Sequence, residues 1–114
     1  MNVEVLDQVV VLHIDGNILD ETASVNILSY YENEVKDLKN KNLIVDLSKV
    51  NVINSIGLSV LIRLLTKTRI KGGEMLLIGL NQKVKQVLQL TKLNDVFQIS
   101  EDLNQAINIL NQSK

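Results

Sequence analysis

Short apolar runs alternate along this chain with longer stretches whose apolar residues recur every three or four positions, and no proline interrupts either pattern. That alternation constrains the fold more than any single motif. Val3 to Leu6 and Val9 to Ile14 are brief, β-branched and separated by Asp7-Gln8, and they read as a hairpin of two strands. Asp15-Gly16-Asn17 is a turn signal. Beyond it Val25, Leu28, Tyr31 or Glu32, Val35 and Leu38 recur at helical spacing. Acidic residues at the start of this stretch and Lys36, Lys39 and Lys41 toward its end suit the helix dipole.

The pattern then repeats. Leu43 to Leu47 reads as a buried strand, and Ser55 to about Ile70 as a second helix stopped by Lys71-Gly72-Gly73. Met75 to Ile78 is a further strand closed by Gly79, and Val84, Val87, Leu88 and Thr91 mark a third helix. Val96 to Ile99 is the last expected strand. A fourth helix follows on Leu103, Ala106, Ile107 and Leu110. The order β-β-α-β-α-β-α-β-α implies right-handed crossovers, a mainly parallel sheet and an antiparallel edge from the opening hairpin. The expectation is one α/β domain over residues 1–114, with a single layer of mixed sheet and about four helices.

The chain is 114 residues long and 46 % apolar, enough for a core, but only 3 % aromatic, so that core must be built from Val, Ile and Leu. Twelve basic residues against thirteen acidic leave a net charge of −1, so no global field draws the chain to nucleic acid or to a membrane surface. Three aromatic side chains provide no stacking platform for single-stranded nucleic acid. Cysteine is absent, which removes disulfides and thiolate chemistry, and His13 as the single histidine leaves little for a metal site or a Ser-His relay. The N-terminus lacks the features of a signal peptide, and no apolar run approaches the roughly 18 residues of a membrane span. A cytoplasmic protein with no cofactor is expected.

No catalytic constellation emerges. Gly72-Gly73 lacks phosphate-loop spacing and follows a helix, so it reads as a helix stop. His13, between Leu12 and Ile14, reads as a half-exposed structural residue. Asp15, Asp20 and Asp46 are accounted for by turn and cap duty, and no convergent cluster marks a small-ligand pocket. What remains is Asn54-Ser55-Ile56-Gly57-Leu58, which lies beyond the strand Leu43–Leu47 and opens a helix. In an open α/β sheet, ligands and partners usually meet the protein at such loops. Ser55, Ser59, Arg63 and Lys67 form a polar stripe at intervals of four, while Leu58, Leu61, Leu64 or Ile62, and Leu65 turn inward. Spacing alone favours Ser55 as a helix cap on an ordinary solvated face. A phosphate on Ser55 would still find a helix N-terminus, with unpaired backbone N–H groups, that tolerates an anion, and would take the net charge to about −3.

Asp46-Leu47-Ser48 followed by Val50-Asn51-Val52-Ile53-Asn54-Ser55-Ile56-Gly57-Leu58 resembles the signature of STAS-domain anti-sigma factor antagonists, in which a D-L-S-like strand end precedes D-S-x-G-L at a helix start. Gly16 with Thr22-Ala23, Lys71-Gly72-Gly73-Glu74-Met75 and the closing Val96-Phe97-Gln98-Ile99 fit the same order, so the likeness runs over nearly the whole chain. The resemblance implies a bacterial partner switch. An unphosphorylated antagonist binds an anti-sigma factor, often a serine kinase of the histidine-kinase-like ATPase type, and frees a sigma factor. Phosphorylation of the signature serine, here Ser55, breaks that association, and a PP2C-type phosphatase restores it. The expected contact residues are Asn54, Ser55, Ile56, Gly57, Ser59, Arg63 and Asp20. Two positions depart from the pattern: Asn54 stands where the family usually has Asp, and Gly16-Asn17-Ile18-Leu19-Asp20 places its Asp one residue late relative to G-E-L-D. These departures also admit a second reading, a constitutive STAS scaffold in a signalling assembly that binds without being phosphorylated.

Overall fold

The computed structural model describes residues 1–6 and 9–112. The turn expected at Asp7-Gln8 lies outside them. The elements are β1 (Asn2–Leu6), β2 (Val9–Asp15), α1 (Glu21–Glu34), β3 (Asn42–Lys49), α2 (Ser55–Ile70), β4 (Met75–Ile78), α3 (Gln82–Leu90), β5 (Gln98–Ser100) and α4 (Leu103–Gln112). The strands lie side by side in chain order, β1-β2-β3-β4-β5. β1 runs antiparallel to β2, and every later pairing is parallel. The expected mixed sheet, order of elements and antiparallel edge are all observed.

Period-two alternation divides the strand side chains between two cores. Val10, Leu12 and Ile14 of β2, Leu43, Val45 and Leu47 of β3, and Met75 and Leu77 of β4 pack with Ile27, Tyr31, Leu58, Leu61, Leu64, Val84 and Leu88 from α1, α2 and α3. Val9, Val11, Ile44, Leu76 and Ile78 point the other way, onto Ala106 and Leu110 of α4. Burial on both faces explains why β2, β3 and β4 read as continuous apolar runs rather than as alternating strands. Each fully buried Leu or Ile contributes about 1.5–3 kcal/mol by leaving water.

The expectations for α1 and for the last strand are corrected. In α1 the inward stripe is Ser24, Ile27 and Tyr31, whereas Val25 is 57 % exposed. The helix begins earlier than its apolar residues suggest and ends at Glu34, so Val35 is the cap and Leu38 lies in the following turn. In α2 the alternative left open resolves to Leu64, which is buried while Ile62 is 38 % exposed. The last strand starts two residues late. The N–H groups of Val96 and Phe97 are used by the Leu93 carbonyl in the turn after α3, so neither is free for the ladder. The expected stop of α2 is observed: Gly72 has φ +85°, and a Cβ on Gly73 would lie 1.9 Å from the Lys41 carbonyl oxygen.

Candidate functional site

α1 and α2 both start beyond the carboxyl ends of neighbouring parallel strands, β2 and β3. The two connecting loops are laced together. Gly16 N donates to the Lys49 carbonyl at 3.1 Å, Ile18 N to the Val52 carbonyl at 3.4 Å, and Val52 N to Asn17 Oδ1 at 3.0 Å. Ile18 and Ile53 form an isolated parallel bridge, and both are buried. The loop before Ser55 is therefore an extension of the sheet.

Amide or carboxylate side chains cap the helices that start on this edge. Asp20 Oδ1 accepts from Ala23 N at 2.9 Å, Asn54 Oδ1 from Ile56 N at 3.0 Å and Gly57 N at 3.4 Å, and Asn81 Oδ1 from Val84 N at 2.8 Å. Two of them also brace a neighbouring loop. Asn54 Nδ2 donates to the Leu19 carbonyl at 3.1 Å, and Asn81 Nδ2 to the Asn51 carbonyl at 2.9 Å. An amide can do both where a carboxylate cannot, since it carries an acceptor oxygen and a donor nitrogen on one group. Asn81 was not among the expected site residues. Its place just after Gly79-Leu80 and just before a helical stretch is an N-cap signal that the sequence does carry.

The cap of α2 is thus Asn54, not Ser55. Ser55 is the first helical residue and is exposed, and its hydroxyl makes no hydrogen bond among the described residues. The donors expected to stand open beside it are largely taken: Ile56 N and Gly57 N by the Asn54 side chain, and Leu58 N by the Asn54 carbonyl at 3.0 Å. Ile56 is half-buried. Gly57, expected at the contact surface, is buried; a Cβ there would lie 2.9 Å from the Ile18 carbonyl oxygen and 2.9 Å from Ile53 Cβ. Its glycine lets the first turn of α2 press onto the laced loops.

Ser59 and Arg63 continue the exposed stripe from Ser55, and Arg63 forms no ion pair among the described residues. Lys67 leaves the stripe, because Nζ turns to Glu32 Oε1 of α1 at 2.6 Å. Lys67 and then Lys36 hold the Glu32 carboxyl below its ordinary pKa. Asp20 is exposed and stands next to Leu19, itself 40 % exposed and held by Asn54. Loop residues 19 and 20 and the first turns of α2 consequently share one surface, which is apolar at Leu19 and Ile62 and polar at Ser55 and Ser59.

The sequence profile of the STAS domain matches residues 1–106. The chain belongs to the STAS domain family. Solved structures agree at the level of fold. A protein from Thermotoga maritima superposes with a TM-score of 0.87 at 24 % identity, over 96 % of this chain and 93 % of that one. An anti-sigma factor antagonist from Mycobacterium paratuberculosis gives a TM-score of 0.82 at 24 % identity, covering 96 % and 92 %. The anti-sigma factor antagonist SpoIIAA, in its unphosphorylated form, gives 0.79 at 16 % identity, covering 97 % and 96 %. In this STAS domain both departures from the family pattern have structural work. Asn54 caps α2 while donating to Leu19, which a carboxylate could not do, and Asp20 caps α1. No helix among the described residues is long and apolar enough to cross a membrane.

Proposed function

We propose that this STAS domain is a non-enzymatic anti-sigma factor antagonist that binds a serine-kinase anti-sigma factor and is switched by phosphorylation of Ser55. The observation that carries the reading is the state of Ser55, exposed and unbonded at the head of a helix that a neighbouring residue already caps. The kinase would transfer the γ-phosphoryl group of ATP to Ser55 Oγ, with loss of the hydroxyl proton and release of ADP. A PP2C-type phosphatase would hydrolyse the ester and restore the hydroxyl.

Magnitudes favour an effect on the partner over an effect on the fold. A phosphate at an exposed helix N-terminus gains roughly 0.3–1 kcal/mol from the dipole, so the domain stays folded. Burying a charge of about −2 against a partner without a counter-charge costs several kcal/mol. The contact is lost while the domain persists. The surface predicted to meet the partner comprises Asp20, Asn54, Ser55, Ile56, Ser59 and Arg63, together with Leu19.

Incubation with the cognate kinase and ATP, followed by intact mass, tests the reading. One phosphate is expected on the wild type and none on Ser55→Ala, and Ser55→Asp is expected to bind the kinase at least tenfold more weakly. Ser55→Ala protein that gains phosphate at the wild-type rate would falsify the assignment. The neutral Asn54 cap favours the scaffold reading, because it leaves the site without the carboxylate usual before the serine. That reading predicts no phosphate uptake and a complex indifferent to ATP.

A further inference from the structure

His13 lies on the α4 side of the sheet but beyond the reach of that helix, and it bridges three strands. Its Nδ1 meets Asp46 Oδ2 of β3 at 2.6 Å, and its Nε2 meets Glu4 Oε1 of β1 at 2.5 Å. Asp46 is anchored in turn, since its Oδ1 accepts from Ser48 N at 2.9 Å. A neutral imidazole has one N–H and one lone pair, so it can satisfy only one of two carboxylates. Donation to both requires the imidazolium.

We infer that protonated His13 is a clamp that fastens the edge strand β1 to the sheet, and that loss of its proton loosens that strand. Among the described residues β1 pairs only with β2, along Asn2–Leu6 opposite Val9–His13; Val3 and Leu6 pack against the two cores while Val5 is more than half exposed, so the strand is an edge held from one side. The charged groups around His13 are Glu4 from β1 and Asp46 from β3. The adjoining cavity, of about 430 Å³, adds Lys49 and Asp15, the latter bonded to the Met1 amino group at 3.1 Å. Of the two direct partners, Glu4 is the looser: its side chain is 51 % exposed against 17 % for Asp46, and among the described residues it has no second anchor of the Ser48 kind. Deprotonation leaves the Nε2 lone pair facing the Glu4 carboxylate, and Glu4 lets go.

Burial pushes the imidazole pKa down, but the hydrogen bonds to Asp46 and then Glu4 outweigh it, so the net pKa lies above the ordinary 6.5. A group raised on folding stabilises fully below its unfolded pKa, and that contribution disappears as pH rises through the folded value. The clamp is therefore closed below the ordinary imidazole value and opens as pH rises through the raised one.

NMR titration of the His13 imidazole in the full chain, with amide protection factors across the same pH range, tests this. The midpoint is expected above 6.5, and lower in both Glu4→Gln and Asp46→Asn. Protection in residues 2–6 should fall as pH passes the midpoint, by up to about tenfold for each unit that the midpoint exceeds its unfolded value. Residues 43–47 of the central strand β3 should keep theirs. In His13→Gln the protection of β1 should be independent of pH. A wild-type midpoint at or below 6.5, or β1 protection unchanged across it, overturns the inference.

Discussion

At the scale of the residue, Asn54 carries the arrangement around Ser55. Its oxygen serves two N–H groups of α2 and its nitrogen serves Leu19, so one amide fixes both the helix start and the neighbouring loop. Asn54→Ala should lower unfolding stability by about 1–2 kcal/mol, the upper part of the range for losing a cap, read from the urea midpoint at constant m-value. Asn54→Asp keeps the acceptor but sets a carboxylate against the Leu19 carbonyl, so its cost should fall on the order of the loop rather than on the helix. Gly57→Ala should cost about 1–3 kcal/mol by the same measurement, because neither the Ile18 backbone nor Ile53 can yield cheaply to a Cβ at 2.9 Å. The identities of Ser55 and Asn54 were legible in the sequence, but their division of labour was not. Both residue types cap helices well, and only the backbone at Asn54, extended at φ −128° and ψ −162°, decides which one does.

At the scale of the element, apolar periodicity gave the order of strands and helices, most securely for β2, β3 and β4, which are buried on both faces. It failed where neighbours rather than pattern set the phase. In α1 a small serine, Ser24, occupies a buried position while Val25 faces water, so a stripe drawn through the larger apolar residues runs one position off. β5 was misplaced because Val96 and Phe97 are claimed by a turn that carries no proline or glycine signal. The corrected phase of α1 and the packing of α2 can be tested together. Leu61→Ala, fully buried under α2, should cost about 2–5 kcal/mol, whereas Val25→Ala should stay within about 0.5 kcal/mol. Equal losses would restore the stripe drawn from apolar residues alone. The pairing of Lys67 with Glu32 was out of reach of sequence patterning, since it joins α2 to α1 across 35 positions.

At the scale of the molecule, α1, α2 and α3 cover one face of the sheet while α4 alone covers the other, leaving His13 and Asp46 on the uncovered part of that second face. Their titration shapes the stability profile. Burial raises the Asp46 pKa, but the bonds from Ser48 and His13 bring it below the ordinary 3.8, so its contribution is present above that value and lost on further acidification. His13 acts in the opposite sense, its contribution being lost as pH rises through its raised value. Denaturant midpoints should therefore be highest between these limits and decline in both directions, with the alkaline decline diminished in His13→Gln. The same layered architecture sets the first turns of α1 and α2 side by side, so under the proposed function a single charge at Ser55 is expected to act on a partner without deforming the domain. The most direct test is the affinity of the cognate kinase for the unmodified and the Ser55-phosphorylated protein, with amide spectra of both forms. At least a tenfold loss of affinity is expected on phosphorylation, with spectral changes confined to the neighbourhood of Ser55. Equal affinity for the two forms, or a phosphorylated domain that loses its fold, would contradict it.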